Sequence, residues 1–246
     1  MQQIYSNFKT IVAEKLSPIY SPQESHSIAS YLAEYYVDKI PRSYDMICYD
    51  ENKLNSQLQI LLLHTPIQYV VGFAWFYNLK FQVNNQVLIP RQETELLVHH
   101  IHNSHDNHSN LNIIDLGTGS GCIPIALKSN KNNWKITAID ISADALIIAK
   151  TNANNHNADI KFLCANLLEI HTLPASTFDI IISNPPYILK SEAHQLPQNV
   201  LDFEPHVAIF CEEDPLLFYK AILDYSLNAL APNGFIYMEI NENYAR

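Results

Sequence analysis

Two short stretches combine residue types and spacings that can do chemistry. The first is Ile181-Ile182-Ser183-Asn184-Pro185-Pro186-Tyr187. The apolar run from Phe178 to Ile182 reads as a strand buried on both faces. Two prolines end it, because proline has no N–H and a fixed φ, and the residue before a proline is held extended. Asn184 is thereby presented at a strand's C-terminal end, the edge at which open α/β sheets bind ligands. Its side-chain carbonyl and the backbone carbonyl of Pro185 are two acceptors for both hydrogens of a planar –NH2 group. Such a nitrogen is a poor nucleophile because its lone pair is delocalised. Accepting its hydrogens orients that lone pair and stabilises the positive charge that develops on it. Pro186 stiffens the bend, and Tyr187 offers a ring face to a flat group. On these four residues alone, a plain proline-terminated strand is an equal reading.

The second stretch is Asp115-Leu116-Gly117-Thr118-Gly119-Ser120-Gly121, which holds three of the chain's five glycines. Glycine lets a backbone turn tightly and approach a ligand closely. The loop follows a strand and leads into a helix, the context a nucleotide-binding turn requires. Its spacing is GxGxG rather than GxGxxG, and no lysine follows it, which turns the reading away from dinucleotides and nucleoside triphosphates. Asp140 ends the next strand, where a carboxylate can accept hydrogen bonds from a ribose diol. Cys164-Ala165-Asn166-Leu167 closes a third. No Ser/His/Asp or Cys/His arrangement competes with these two stretches.

The elements that must position them alternate from Leu111 onward. Strands are expected at Asn112–Asp115, Trp134–Asp140, Ile160–Leu163, Phe178–Ser183 and Gly234–Ile240. Helices are expected from Ile123, over Ala143–Asn154 and over Leu216–Leu230. This predicts an α/β domain with a mainly parallel, doubly wound sheet and right-handed crossovers. Residues 1–70 carry helical periodicity without glycine, punctuated by Pro18, Pro22 and Pro41. They predict a small helical bundle, with Ser25 or Ser27 as a cap for its second helix. Residues 71–90 predict a linking β-hairpin. The β-formers Gln68–Gly72 and Phe76–Val83 lead to an Asn84-Asn85 turn and then Val87-Leu88-Ile89. Pro90 and the early acids Glu93 and Glu95 then open a helix. The expected division is 1–70, 71–90 and 91–246.

The 246 residues are 48% hydrophobic and carry a formal charge of −10. That composition suits a protein with a buried core and argues against a broad basic grip on nucleic acid. Cys48, Cys122, Cys164 and Cys211 form no CxxC pair and read as reduced, mostly buried thiols of a cytoplasmic protein. No apolar stretch is long enough to span a bilayer, and the first ten residues lack a signal peptide's apolar region. His99, His100, His102, His105 and His108 raise metal binding. They lie in a polar, loop-like composition with no cysteine nearby and no HExxH helix, so no metal is expected.

The glycine loop, the strand-end Asp140 and the Asn184–Tyr187 turn together resemble class I S-adenosylmethionine-dependent methyltransferases. Further segments resemble the HemK/PrmC family of peptide chain release factor glutamine methyltransferases. These are Pro66–Gly72 with Phe76-Tyr77, Val87–Val98, Asp202-Phe203-Glu204-Pro205-His206 and Phe218-Tyr219. The resemblance runs from about residue 25 to the end. It implies a Rossmann-like domain preceded by a small helical recognition domain. It also implies methyl transfer from S-adenosyl-L-methionine to N5 of the glutamine in the GGQ loop of bacterial release factors, in the cytoplasm, without membrane or direct nucleic-acid partners. Asn184 and Pro185 would grip the amide, Tyr187 would pack on it, and Pro186 would complete the substrate site. Gly117, Thr118, Gly119, Ser120, Gly121, Asp140, Asn166, Leu167 and Asn184 would hold the cofactor, and Arg91 and Glu93 would shape the pocket. Asn166 stands where the family more often has an acid, and Gln92 where it usually has proline. The family's sheet continues beyond the strand at 234–240 with a helix and an antiparallel pair, so a truncated sheet edge is expected. An adenine-N6 methyltransferase of DNA or RNA, and a cofactor-binding protein without turnover, are the alternative readings.

Overall fold

The computed structural model describes residues 2–37, 46–107, 110–131, 133–172 and 177–241. The chain forms two compact units, one comprising the residues up to Gly72 with Gln198–Phe203, the other Phe73–Pro197 with the residues from Glu204 onward. In the first, β1 (Gln2–Ile4) leads into α1 (Tyr5–Leu16) and α2 (Pro22–Val37). Next come β2 (Met46–Cys48), α3 (Glu51–Leu61) and α4 (Ile67–Val71). The apolar faces of these helices meet in one core around Phe8, Leu16, Leu32, Tyr36, Leu58 and Leu61. Each such side chain contributes about 2 kcal/mol on burial. The helix α2 begins earlier than the serine caps suggest. Ser21 and Glu24 exchange bonds across its first turn, Ser21 N–H to Glu24 Oε2 at 3.1 Å and Glu24 N–H to Ser21 Oγ at 3.3 Å. Pro22 takes the first helical position, where its missing N–H costs nothing. Ser25 and Ser27 lie inside the helix and bond to the carbonyls of Pro22 and Gln23. The antiparallel pair β1–β2 was not expected in a helical bundle. Pro41 lies outside the described residues.

The β-formers Gln68–Val71 belong to the helix α4, ended by Gly72 at φ 82°. The hairpin is β3 (Phe73–Phe76) with β4 (Leu79–Gln82). It turns at Tyr77-Asn78, both left-handed at φ 51° and 60°, rather than at Asn84-Asn85, and Val87-Leu88-Ile89 forms no strand. Phe76 and Phe81 put this hairpin into the core of the second unit.

The remaining elements follow the expected alternation. They are α5 (Gln92–Ser104), β5 (Asn112–Leu116), α6 (Cys122–Asn130), β6 (Lys135–Asp140), α7 (Ala143–Asn155), β7 (Ile160–Cys164) and β8 (Phe178–Ser183). After them come β9 (Ile188–Leu189), α8 (Gln198–Phe203, a piece of the first unit), β10 (Phe210–Cys211), α9 (Leu217–Ala229) and β11 (Leu230–Met238). Among the described residues the main sheet has five strands in the order β11-β8-β5-β6-β7, and every pairing is parallel. Alternate residues enter opposite cores. Ile113, Ile180 and Ile182 pack on one face with α5 and α6, and Ile114, Leu116 and Ile181 pack on the other with Ile222 of α9. A strand covered on both faces needs this continuous apolar run. The strand β11 begins at Leu230 and breaks register before Phe235.

Within the histidine tract, His102 and His105 are buried. His102 is sandwiched between the rings of Tyr77 and Trp134, at 5.9 and 5.7 Å, and burial lowers its pKa. His105 Nε2 is 2.9 Å from Tyr237 Oη. His108 lies outside the described residues. Cys122 and Cys211 are buried, but Cys48 is only partly so and Cys164 is exposed. No described helix is long and apolar enough to cross a membrane.

Candidate active site

Register alone brings the two chemical stretches together. Leu116 pairs with Ser183 at the C-terminal ends of β5 and β8, and Ser183 Oγ–H donates to the Leu116 carbonyl at 2.6 Å. The next residues are Gly117 and Asn184, so the loop and the turn leave adjacent strands side by side. β5 connects towards β6 on one flank, while β8 and β11 lie on the other. This is the point of reversed strand order at which α/β sheets bind ligands.

A cavity of about 240 Å³ opens there. Gly117, Thr118, Gly119 and Ser120 form one side, and Asp140 and Ile141 follow from β6. Ala165, Asn166, Leu167 and Leu168 come from the end of β7, and Asn184 and Pro186 from β8. Leu88, Pro90, Arg91, Thr94 and Phe218 add to the wall. Gly117 and Gly119 have φ of +80° and +54°, and a Cβ on either would meet no protein atom within 4 Å. The space beside them is open to a ligand. Gly121 does not border the cavity. A Cβ there would lie 3.1 Å from Ile125 Cδ1 and 3.2 Å from Ala149 Cβ, so this glycine lets α6 close on α7.

Asp140 fixes the loop before it meets any ligand. Its Oδ2 accepts the Gly119 N–H at 2.8 Å and its Oδ1 the Ser142 N–H at 2.9 Å. Burial raises its pKa, against the pull of the backbone N–H groups of Ser142, Gly119 and Ile141. Asn166 Oδ1 caps the following turn by accepting the Leu168 N–H at 3.0 Å. Asn152 of α7 anchors the loop from beneath. Its Nδ2 donates to the carbonyls of Ser120 (2.9 Å) and Gln82 (3.0 Å), and its Oδ1 accepts the Gln82 N–H at 2.7 Å.

Asp115 is wholly buried just below the loop. Neither of its carboxylate oxygens has a hydrogen-bond partner, nor has the Thr118 hydroxyl. Burial pushes the Asp115 pKa up to about 7; the nearby Thr118 hydroxyl pulls the other way without making a well-formed hydrogen bond. Thr118 borders the cavity and Asp115 does not, so of these orphaned atoms the Thr118 hydroxyl is the one a polar ligand group would satisfy. Cys122 also borders the cavity, but burial pushes its thiol up to about 12, which leaves it inert.

On the turn itself, Asn184 is half-buried and Pro185 buried, and Pro186 rather than Pro185 borders the cavity. Asn184 Nδ2 donates to Thr94 Oγ1 at 3.2 Å, and Thr94 Oγ1 donates to Glu239 Oε2 at 2.6 Å. Tyr187 does not border the cavity. Its hydroxyl donates to Glu239 Oε1 at 3.3 Å, and burial, reinforced by Glu239, pushes its pKa up to about 12. Arg91 Nη2 pairs with Glu204 Oε1 at 2.6 Å, while Glu204 Oε2 accepts the Ile89 N–H at 3.2 Å. Glu93 is exposed and does not border the cavity. It is Glu95 that accepts a backbone N–H, from Tyr77 at 2.9 Å.

Thr94 and Glu239 had no visible role in the chain read alone. Thr94 lies one turn before Val98 on the buried face of α5. Glu239 reaches the turn because β11 pairs with β8, its N–H donating to the Ser183 carbonyl at 3.1 Å. A polar residue on an otherwise apolar helix face was the one available hint for Thr94.

Residues 91–202 match the family model described as a methyltransferase small domain. The chain is 38% identical to the release factor glutamine methyltransferase of Flavobacterium psychrophilum, covering 97% of this chain and 87% of that one. It is 36% identical to the enzyme of the same name from Streptococcus pneumoniae, over 98% of this chain and 85% of that one. Among solved structures it is similar to the hMettl16 catalytic domain in complex with MAT2A 3'UTR hairpin 1. The TM-score is 0.51 at 19% identity, over 82% of this chain and 74% of that one, a likeness of fold alone. The fold is that of the class I S-adenosylmethionine-dependent methyltransferases. Within that class, the extent of the similarity shows that the chain belongs to the release factor glutamine methyltransferase family.

Proposed function

We propose that this chain methylates N5 of the glutamine in the GGQ loop of bacterial peptide chain release factors. One observation carries the reading: Asn184 and Pro186, from the turn after β8, border the same cavity as the glycine loop after β5. S-adenosyl-L-methionine supplies, when bound, a methyl carbon already made electrophilic by its sulfonium. The residues present suit it. Asp140 borders the cavity where it can accept from a ribose diol, Leu168 and Ile141 offer apolar walls to an adenine, and the Thr118 hydroxyl is an unspent polar atom at the loop. Ile141, Leu168 and Val207 border the cavity and are 51%, 40% and 57% exposed. Apolar surface left open in this way marks a binding site.

The chain's own work is positional. Asn184 Oδ1 and the Pro185 carbonyl accept the two hydrogens of the glutamine amide, which turns its lone pair out of conjugation and towards the methyl carbon. With the cofactor bound, its methyl group would pass to this nitrogen and leave the thioether behind, and the nitrogen would then shed one hydrogen as a proton to water. No strong base is required, because the nitrogen becomes acidic once alkylated. Alignment supplies most of the rate. Tyr187 closes the turn, its hydroxyl held by Glu239. The first unit serves as the recognition domain for the release factor, and the second, which includes the hairpin, as the catalytic domain. A partner in translation places the work in the cytoplasm.

The test is to incubate the protein with labelled S-adenosylmethionine and a bacterial release factor, and to repeat with the GGQ glutamine changed. Label on the first alone is expected. Label that survives the change overturns the glutamine assignment, and label on oligonucleotides would favour an adenine amine as the acceptor. Cofactor binding without transfer to any of them would leave a binding protein.

A further inference from the structure

We infer that Thr94 and Glu239 are positioning residues that fix which face of the Asn184 amide meets the substrate. The inference deepens the reading above and rests on Asn184 gripping an amide. An asparagine amide has two ends of nearly equal size and opposite hydrogen-bonding sense. Turned one way, Asn184 offers an acceptor to the substrate nitrogen. Turned the other, it offers two hydrogens to a group that already carries two.

The neighbours decide between the two. The Thr94 hydroxyl has one hydrogen to give. It lies 2.6 Å from Glu239 Oε2, a carboxylate oxygen that can only accept, so the hydrogen goes there. The Thr94 oxygen can then only accept, and it lies 3.2 Å from the Asn184 amide. Asn184 must therefore present Nδ2 to Thr94, which leaves Oδ1 for the substrate. The other Glu239 oxygen takes the Tyr187 hydroxyl hydrogen at 3.3 Å. One carboxylate thus governs both ends of the turn. It is itself held through its backbone, its N–H donating to the Ser183 carbonyl at 3.1 Å and its carbonyl accepting the Tyr219 hydroxyl at 3.2 Å. Glu239 does not border the cavity, so its effect on transfer passes through Thr94 and Tyr187.

The test compares Thr94→Val, Thr94→Ser and Glu239→Gln with the unchanged enzyme. It measures kcat on a release factor, the Kd for S-adenosylmethionine and the melting temperature. Thr94→Val keeps the shape but loses the hydroxyl, so the amide can turn over. Glu239→Gln introduces an NH2 that must face either Thr94 or Tyr187 and reverse a bond. Both should lower kcat about tenfold to a hundredfold with cofactor Kd within about threefold, and Thr94→Ser should keep most of the rate. If Thr94→Val does not fold, Glu239→Gln against Thr94→Ser carries the same comparison. Unchanged kcat in Thr94→Val or Glu239→Gln overturns the inference while leaving the glutamine assignment standing. So does a loss in Thr94→Ser equal to that in Thr94→Val. An unchanged enzyme that leaves the release factor unlabelled overturns the reading and the inference together.

Discussion

Two glycines two residues apart should fail in opposite ways when changed to alanine. Both have positive φ, Gly119 at +54° and Gly121 at +79°, so alanine costs about 1–2 kcal/mol at either position in backbone strain. Their surroundings differ. At Gly119 the new methyl meets no protein atom within 4 Å and enters the cavity that Gly119 borders. At Gly121 it meets Ile125 Cδ1 at 3.1 Å and Ala149 Cβ and Cα at 3.2 and 3.4 Å. Two helices must then separate or a side chain must leave its rotamer, which costs about 1–3 kcal/mol more. A chain of this length loses about 3 °C of melting temperature per kcal/mol. Gly119→Ala should therefore lower Tm by about 4 °C and Gly121→Ala by about 10 °C. For cofactor affinity the order reverses. A methyl in the ligand's space costs about 1–3 kcal/mol, so Gly119→Ala should weaken S-adenosylmethionine binding at least about tenfold. Folded Gly121→Ala should bind within a few-fold of normal. Thermal melting and calorimetric titration on the same preparations read both quantities. Equal melting losses, or cofactor affinity retained in Gly119→Ala, would refute the assignment of one glycine to the ligand and the other to helix packing.

Asn184→Ala should reduce transfer by about a hundredfold or more with cofactor affinity nearly intact; equal loss of both in a binding and turnover comparison would put Asn184 in the cofactor site only. Asp115 has a folded pKa near 7 against an ordinary value near 4, so between those values the folded state holds the extra proton. Its contribution is therefore most favourable to the fold below about pH 4 and is lost as pH rises towards 7. Melting of Asp115→Asn without cofactor should show its largest gain over the unchanged chain at pH 8 and the smallest at pH 4; a pH-independent difference would contradict this. Arg91→Leu should cost about 3 kcal/mol, because the Glu204 side chain, 1% exposed, would be buried without its cation. Adding Glu204→Leu should recover part of that loss in chemical denaturation, and a double variant less stable than the single one would rule the account out.

The sheet and its two chemical stretches were legible because their signals are local. β-branched runs gave the strands, three glycines gave the loop, and a pair of prolines stopped β8. The departures arise where distant contacts choose between local options. Gln68–Val71 is rich in β-formers, yet it sits between Pro66 and the left-handed Gly72, and it packs Ile67, Val70 and Val71 onto the helical core. The hairpin turns at Tyr77-Asn78 without any glycine, and Tyr77 stacks on His102. Ser21 gives little cap signal because its partner Glu24 lies beyond a proline, the residue usually read as a break. Thr94 and Glu239 are 145 positions apart, and only the packing of α5 against β11 joins them. A pattern of neighbours along the chain holds no trace of that bond.

Asn152 joins α7 to both the hairpin and the glycine loop. To Gln82 its side chain offers one donor and one acceptor, as an opposing peptide group does in a ladder, so β4 ends against a counterfeit strand one residue long. A second hydrogen of the same NH2 is spent on Ser120. Aspartate, leucine or serine would leave part of this triple bond broken, since none supplies two hydrogens and an oxygen from so short a stem. The hairpin and the loop are thereby tied through one side chain, by a route that does not pass through the sheet.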